Sequence, residues 1–396
     1  MDIERLKKLK DKYAIVGVGY TPQGRIPGRT AVSFYVEAGI RAIQDAGLKK
    51  EDIDGLICYR HYNPLNHEIE VTTNLVAQHL GIEPVMMTQE GGCARNQLPC
   101  ALSMIEAGFC DYVLVIYGDN AASGKRTFIE EGTHAESVSY NAAFGMFSAL
   151  GEYAMAARRG MHLFGTGPET WKEIAVNQRK WAHLNPRALM HQEPLDYDTY
   201  LRQPYLVEPF RRLDCCPITD GGRAYIVTST ERAKDLKNPP VLIMGIAEAN
   251  PSTDVHQGTF LAGPTGAKQA GAAALEMAGI TLDEIDACEI YDCFTYTLEI
   301  TMQDYGFYPP GGGRDWFRDG RTGPGGAMPV NTSGGLLSEA YFMGLIPLTE
   351  AVMQLSGRCG DRQLGPKTKT KEPEIILCSD NGGALQNHCT TILRRI

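Results

Sequence analysis

Two stretches of this chain are copies of one another. AGLKKEDIDGLICY (46–59) and AGITLDEIDACEIY (278–291) align without a gap at an offset of 232 residues. They share Ala-Gly, an apolar residue, two variable positions, two acids, Ile-Asp and a final tyrosine. Each copy closes a helical pattern, VEAGIRAIQDAGL in the first and AGAAALEMAGI in the second, and each lies downstream of a β-rich run, YAIVGVGY (13–20) or VLIMGIAEA (241–249). Further on, CDYVLVIYG (110–118) has its counterpart in PEIILCSDNGG (373–383), each after a helical segment, 98–108 and 345–356. A chain that repeats one strand–helix alternation is expected to fold as two related α/β halves, and its short apolar strands suit sheets covered on both faces. The first half, 1–236, closes with GGRAYIVTSTERA (221–233), and the second runs over 237–396. Between the strand at 112–118 and that closing strand lies an extra stretch of about 119–210, with the polar SGKRTFIEEGTHAESVSY and the helical GPETWKEIAVNQRKWAHLN. A long insertion on a repeated scaffold reads as a lid or binding loop.

Composition removes several function classes. With 396 residues, 43% of them hydrophobic, the chain can bury one large core or two fused ones. A net charge of −9 without clustered cations argues against a nucleic-acid surface. The longest apolar runs, such as YVLVIYG (112–118), are too short to span a bilayer, and the start MDIERLKKLKDKYAIVGVG reads as charged residues and then a strand rather than a signal peptide. A cytoplasmic protein is expected. The eleven cysteines include no C-x-x-C pair, Cys215 and Cys216 are adjacent, and the nine histidines form no H-x-x-x-H or H-E-x-x-H, so no metal site is expected within the chain. GVGYTPQG fails as a dinucleotide turn because Pro22 and Pro27 fall where a helix should begin. Neither GPGGA nor GGGRD is a nucleotide P-loop.

The duplication also locates a site. EGGCARNQLPCALSMIEAG (90–108) and SGGLLSEAYFMGLIPLTEAV (333–352) are equivalent segments, each opening with Gly-Gly at the start of a helix. Across a pseudo-twofold axis two helix N-termini would face one central cavity. Such ends carry partial positive charge and free N–H groups, which lower a thiol's pKa and stabilise an oxyanion. Cys93 stands at one end. Gly334 and Gly335 open the other, with Tyr341 expected in its first turn, and EIYDCF (289–294) delivers Tyr291 from a strand end.

In LDCCPITDGG (213–222), EIYDCFTYTLEITMQDYGF (289–307), DGRTGPGGAMPVNTSGGLLSEAY (319–341) and DNGGALQNHCTTIL (380–393), the chain resembles the thiolase superfamily over essentially its whole length. Within it, the resemblance is to the lipid-transfer-protein-like thiolases, which work with a small zinc-containing DUF35 partner. It implies a thiolase-like duplicated α/β fold in five layers, α-β-α-β-α, with coenzyme A as substrate and no covalently bound cofactor. It also implies a homodimer core and a heterotetramer once the DUF35 subunit joins. The 119–140 segment, whose DNAASGKRTFIEEGTH offers few core residues, is expected to cover the acyl-CoA site and to be mobile when empty, with Lys125 and Arg126 meeting the CoA phosphates.

The departures from the family pattern bear on the chemistry. A typical thiolase has a histidine in an N/H-E/D-x-F segment; here that segment is YDCF, with Tyr291. It has another in G-H-P after Gly-Gly; here that place is taken by Tyr341. The same double tyrosine marks the steroid side-chain aldolases of the subfamily, which split a β-hydroxyacyl-CoA by retro-aldol chemistry and need no thiol. An ungapped count back from IEAG (105–108) puts Gly91 at the usual nucleophile position, with Cys93 two residues on. The second thiolase cysteine has no clear equivalent. Cys378 and Cys389 lie on either side of its place, and His388 falls where subfamily members carry a histidine.

Three readings stand open. The first is thiolysis of a branched β-ketoacyl-CoA through a Cys93 acyl-enzyme. It follows the benzoylsuccinyl-CoA thiolase of anaerobic toluene breakdown, which gives benzoyl-CoA and succinyl-CoA, and the Lys-rich composition and Cys93 favour it. The second is retro-aldol cleavage, with one tyrosine as base and the other protonating the enolate. An unperturbed tyrosine has a pKa of about 10, so that base would draw on the two helix ends. The third is an acyl-CoA-binding scaffold without chemistry. Each candidate has a plainer role as well: Cys93 and Cys293 as packing, Tyr341 as cavity filling, Tyr291 as a core tyrosine like its repeat partner Tyr59, and His388 as a satisfied core histidine.

Overall fold

The computed structural model describes residues 2–59, 71–90, 97–124, 148–251, 261–382, 384–385 and 387–396. The first half runs β1 (Tyr13–Tyr20), α1 (Ala31–Ala46), β2 (Gly55–Tyr59), α2 (Thr73–Leu80), β3 (Met86–Glu90), α3 (Gln97–Glu106) and β4 (Tyr112–Asn120). An inserted stretch follows, with α4 (Ala149–Phe164), α5 (Pro168–His183) and the small hairpin β5 (Tyr205–Val207) and β6 (Phe210–Arg211), before β7 (Asp220–Ser229) closes the half. The second half runs β8 (Val241–Ala249), α6 (Gly266–Ala278), β9 (Ala287–Glu289), α7 (Thr295–Tyr305), the one-turn α8 (Gly335–Ser338), α9 (Leu345–Leu355), β10 (Ile375–Gly382) and β11 (Asn387–Arg395).

The repeated sequence makes the same corner twice. Helices α1 and α6 both end on a left-handed glycine, Gly47 (φ 75°) and Gly279 (φ 68°), a conformation that costs glycine nothing. A one-turn 3-10 helix follows, closed by the second repeated acid: Asp52 accepts the Lys49 N–H and Glu284 accepts the Thr281 N–H. The repeated Ile is buried in both copies. The repeated Asp reaches across to the neighbouring strand, where Asp54 accepts the N–H groups of Asp111 and Tyr112 and Asp286 accepts those of Glu374 and Ile375. The repeat therefore encodes the helix-to-strand corner and the register of the next strand.

The strand order is β3-β2-β4-β7-β1-β8-β11-β10-β9. Equivalent strands sit at equal distances from the centre, where β1 and β8 pair antiparallel through Ala14 with Leu242 and Ile15 with Val241. In both halves the strand after the repeat runs parallel to the next (β2 with β4, β9 with β10), and that strand runs antiparallel to the closing one. Helix α1 covers one outer face against β1, β4 and β7, and α6 covers the other against β8 and β11. Helices α3 and α9 lie between the two half-sheets, and α9 touches strands of both. The result is the expected five-layered α-β-α-β-α arrangement. Every residue of α9 is buried, as an inner-layer helix requires. The outer helices pack closely for a shared reason: a Cβ on Gly17 of β1 would strike the Ala42 carbonyl and Ala46, and one on Gly245 of β8 would strike the Ala274 carbonyl and Ala278.

Within the insertion, GPETWKEIAVNQRKWAHLN forms the expected helix, α5. Beyond Ser148 the insertion is packed structure, with Trp171 and Trp181 of α5 fully buried. Their indole N–H groups donate to Glu299 of α7 (2.7 Å) and to the Thr322 carbonyl (2.9 Å). Residues 125–147 lie outside the described set. No described helix is long and apolar enough to cross a membrane.

Candidate active site

Tyr291 and Tyr341 meet. Their hydroxyl oxygens are 2.9 Å apart and their rings lie edge to face, centroids 6.5 Å apart. Tyr291 stands two residues past the end of β9, is 4% exposed, and donates its N–H to Ser379 Oγ on β10 at 3.1 Å. Its repeat partner Tyr59 is instead inside β2, packed edge-on against Tyr117. The two copies part where the second strand ends short, and that frees Tyr291 to face a cavity.

Tyr341, expected in the first turn of a helix, lies between two helices. The short α8 ends at Ser338 and α9 begins at Leu345. At the start of α8, Asp292 accepts the N–H groups of Leu336 (2.8 Å) and Leu337 (3.3 Å) and so closes the α8 N-terminus with a protein carboxyl group. That helix end does not serve as an open anion site. Burial pushes the Asp292 carboxyl up to about 8 even though these donors oppose the shift. Gly334 and Gly335 are buried behind the site, packed so tightly on Ala182 and Asp292 that neither has room for a Cβ. They line no described part of the cavity.

The Tyr341 hydroxyl donates to Met343 Sδ at 3.0 Å. Met343 has φ 54°, a left-handed conformation uncommon for a long side chain. That turn brings the thioether back to the hydroxyl two residues earlier. Either hydroxyl can donate in the Tyr291–Tyr341 bond; when Tyr341 directs its O–H at the sulfur, Tyr291 is the donor.

Both rings line a cavity of about 310 Å³. Leu150 and Tyr153 of α4, Leu206 of β5, Ile218 and Phe294 supply much of its wall. Phe294 stacks on Phe210 and packs against Tyr153, with centroids at 5.1 and 4.7 Å. The thiols of Cys215, Cys216 and Cys293 also line it. Among the described lining residues none is Asp, Glu, Lys, Arg or His. Burial pushes the Cys215 and Cys216 thiols well up, which keeps them protonated. Neither cysteine, nor Leu206 or Ile218, was a candidate from sequence; the only signal was the resemblance carried by LDCCPITDGG.

His388 is not part of this site. It lies on β11, 1% exposed, with Nε2 at 2.7 Å from the Tyr305 hydroxyl of α7. Desolvation lowers its pKa to about 3, so the ring is a neutral core histidine. Cys378 and Cys389 line a separate space of about 30 Å³ between the start of α9 and strands β10 and β11. Cys93, Lys125 and Arg126 lie outside the described residues. Among the described residues, no cluster of three or more His, Cys, Asp or Glu side chains could hold a metal ion.

The family model described as "Thiolase C-terminal domain-like" matches residues 247–395. A Mycobacterium tuberculosis protein, 17-hydroxy-3-oxo-4-pregnene-20-carboxyl-CoA lyase, is 32% identical over 88% of this chain and 92% of its own. The chain belongs to the thiolase superfamily. Among solved thiolase-superfamily structures, the Ltp2-ChsH2(DUF35) aldolase superposes with a TM-score of 0.86 at 29% identity, covering 98% of each chain. The benzoylsuccinyl-CoA thiolase subunit BbsB of Thauera aromatica is more distant, 26% identical over 95% of this chain and 96% of its own.

Proposed function

We propose that this thiolase-superfamily chain, an enzyme of acyl-CoA substrates, splits a β-hydroxyacyl-CoA by retro-aldol cleavage. The observation that carries the reading is the hydrogen-bonded pair Tyr291–Tyr341 at an apolar cavity. Tyr341 acts as the base: with its proton released to solvent, the phenolate keeps the hydrogen bond from Tyr291, which offsets part of the cost of placing a charge at an apolar cavity. The phenolate takes the β-hydroxyl proton, the carbinol carbon becomes a carbonyl, and the Cα–Cβ electron pair passes to the thioester enolate. Tyr291 then protonates Cα, and the proton held by Tyr341 restores the pair. Coenzyme A enters as part of the substrate, and the step uses no prosthetic group. Lys125 and Arg126 remain our assignment for its phosphates.

The relatives support this reading, since the lyase and the aldolase are the nearer of the three compared. The lyase's named thioester carries a hydroxyl on carbon 17 and its acyl group on carbon 20, so that hydroxyl is β to the carbonyl. Thiolysis, favoured by composition, needs a thiolate. The Cys215 and Cys216 thiols are held protonated, and the nucleophile that reading assigns is Cys93. A benzoylsuccinyl-like substrate also carries a free carboxylate, for which the described cavity wall offers no cation. The aldolase structure, which is named with a DUF35 chain, and the naming of BbsB as a subunit support a DUF35 partner; the zinc in that partner and a homodimer core for this chain are our assignment.

The test is turnover of 17-hydroxy-3-oxo-4-pregnene-20-carboxyl-CoA, with mass-spectrometric detection of a 17-ketone and a shortened acyl-CoA. Tyr291→Phe and Tyr341→Phe should each lower kcat by about 100-fold or more, the usual worth of a general acid or base, with thioester affinity unchanged. Cys93→Ala should keep full activity. Wild-type rates in both phenylalanine variants would reduce the tyrosines to cavity filling. An acylated Cys93 peptide together with an inactive Cys93→Ala would return the chain to thiolysis.

A further inference from the structure

The segment LDCCPITDGG (213–222) supplies no group to the proposed reaction, yet it touches both tyrosine-bearing stretches. At one end the Cys216 N–H donates to the Cys293 carbonyl at 2.9 Å, and Cys215 forms an antiparallel bridge with Phe294. This stitches the segment to the chain just after Tyr291. At the other end the Thr219 hydroxyl takes both backbone groups of Tyr341. It accepts the Tyr341 N–H at 3.0 Å and donates to the Tyr341 carbonyl at 3.2 Å. Tyr341 lies between α8 and α9, outside any helix or strand ladder, so its backbone is placed by this side chain rather than by secondary structure.

The segment is itself anchored on both sides. Asp214 accepts from the Tyr200 hydroxyl (2.5 Å), the Arg211 N–H (2.7 Å) and the Thr295 hydroxyl (2.8 Å). Asp220 accepts the N–H groups of Ile26 (2.6 Å), Ala122 (2.8 Å) and Ser123 (2.9 Å). Thr219 is 2% exposed, so water does not readily replace its two bonds. Between two fixed aspartates, one short stretch thus holds the carriers of both phenol groups.

We propose that residues 215–219 are a brace that sets the Tyr291–Tyr341 separation, and that Thr219 is a positioning residue acting through Tyr341. The proposal rests on the reading of the two tyrosines as the acid–base pair. Its physical basis is that a misplacement of about 1 Å in a reacting group costs on the order of 100-fold in rate. Valine matches the shape of threonine but leaves the Tyr341 N–H and carbonyl to find other partners, which moves the ring.

The experiment compares Thr219→Val, Thr219→Ser, Tyr341→Phe and the Thr219→Val/Tyr341→Phe double variant with the same thioester. Thr219→Val should lower kcat about 10-fold or more with KM changed less than about 2-fold, and Thr219→Ser, which keeps the hydroxyl, should restore most of the rate. The double variant should be no slower than Tyr341→Phe alone, because Thr219 acts only through that hydroxyl. A wild-type kcat in Thr219→Val beside a slow Tyr341→Phe overturns the brace and leaves the tyrosine reading standing. Additive losses in the double variant also overturn it. A wild-type rate in Tyr341→Phe overturns both. Should the valine variant not fold, Thr219→Cys takes its place, with the same expected and overturning results.

Discussion

The Tyr341 hydroxyl has an unusual acceptor, the thioether of Met343. Met343→Leu keeps the volume and removes the sulfur, so Tyr341 loses the partner that directs its proton away from Tyr291. One neutral hydrogen bond is worth about 1 kcal/mol, which predicts a kcat loss of up to about 5-fold and a melting temperature lower by roughly one or two degrees. A wild-type kcat in this variant would show that the sulfur does not orient the hydroxyl. The tyrosines were legible in the sequence because they replace residues within recognisable segments. His388 carried two readings in the sequence, site residue and core histidine, because a histidine beside Gly-Gly reads the same whether its ring faces a cavity or a core. The face is fixed by the strand: His388 and Thr390, two apart on β11, both reach Tyr305. The folded-state pKa lies below the ordinary value of about 6.5, so the ring stays neutral down to about 3. In histidine-labelled protein, the resonance lost in His388→Gln should show no titration between pH 8 and pH 4.5. A midpoint near pH 6 would put His388 in contact with water and reopen its candidacy.

At the scale of elements, the boundary the sequence reading missed is the break between α8 and α9. One signal was present: Pro347 is the third residue of α9, a first-turn position where a missing N–H costs nothing. It places the helix start near Leu345 and leaves Tyr341 outside. What holds the start of α8, Asp292 on its first N–H groups, is a contact across 44 residues that no local pattern announces. The outer helices show the reverse case. The repeated AG segments fixed both helix ends, and the glycines beneath them mark where helix and strand touch. Gly245→Ala would drive a methyl group into the Ala274 carbonyl, and overpacking of that kind costs about 1–3 kcal/mol. The melting temperature should fall by several degrees in calorimetry. An unchanged value would mean that α6 can lift off β8 without cost.

At the scale of the whole molecule, the duplication made the layered fold legible because each half repeats strand, helix and corner in the same order. What it could not show is how the sheet ends. On one side Val330 bridges to Cys288 beside β9. On the other, β3 is last in the order, and among the described residues no further strand pairs with its outer edge. Val85, just before β3, is 72% exposed, and Met86 and Met87 within it are 37% and 39% exposed. An open apolar edge is a template for another strand, and proteins rarely leave one uncovered. Two copies of β3 related by a twofold axis run antiparallel and satisfy each other, which is the symmetry of a closed dimer. The homodimer we propose would use this edge. Light scattering on the chain purified alone should therefore give twice the chain mass, with no stoichiometric zinc in metal analysis, because we assign that metal to the proposed DUF35 subunit. Met87→Lys puts a charge at the seam and should shift the population to monomer at micromolar concentration, while the Tyr291–Tyr341 pair, on the other half, stays assembled. A wild-type chain that is monomeric at every concentration, or a Met87→Lys variant that dimerises as well as wild type, would rule out this edge as the interface.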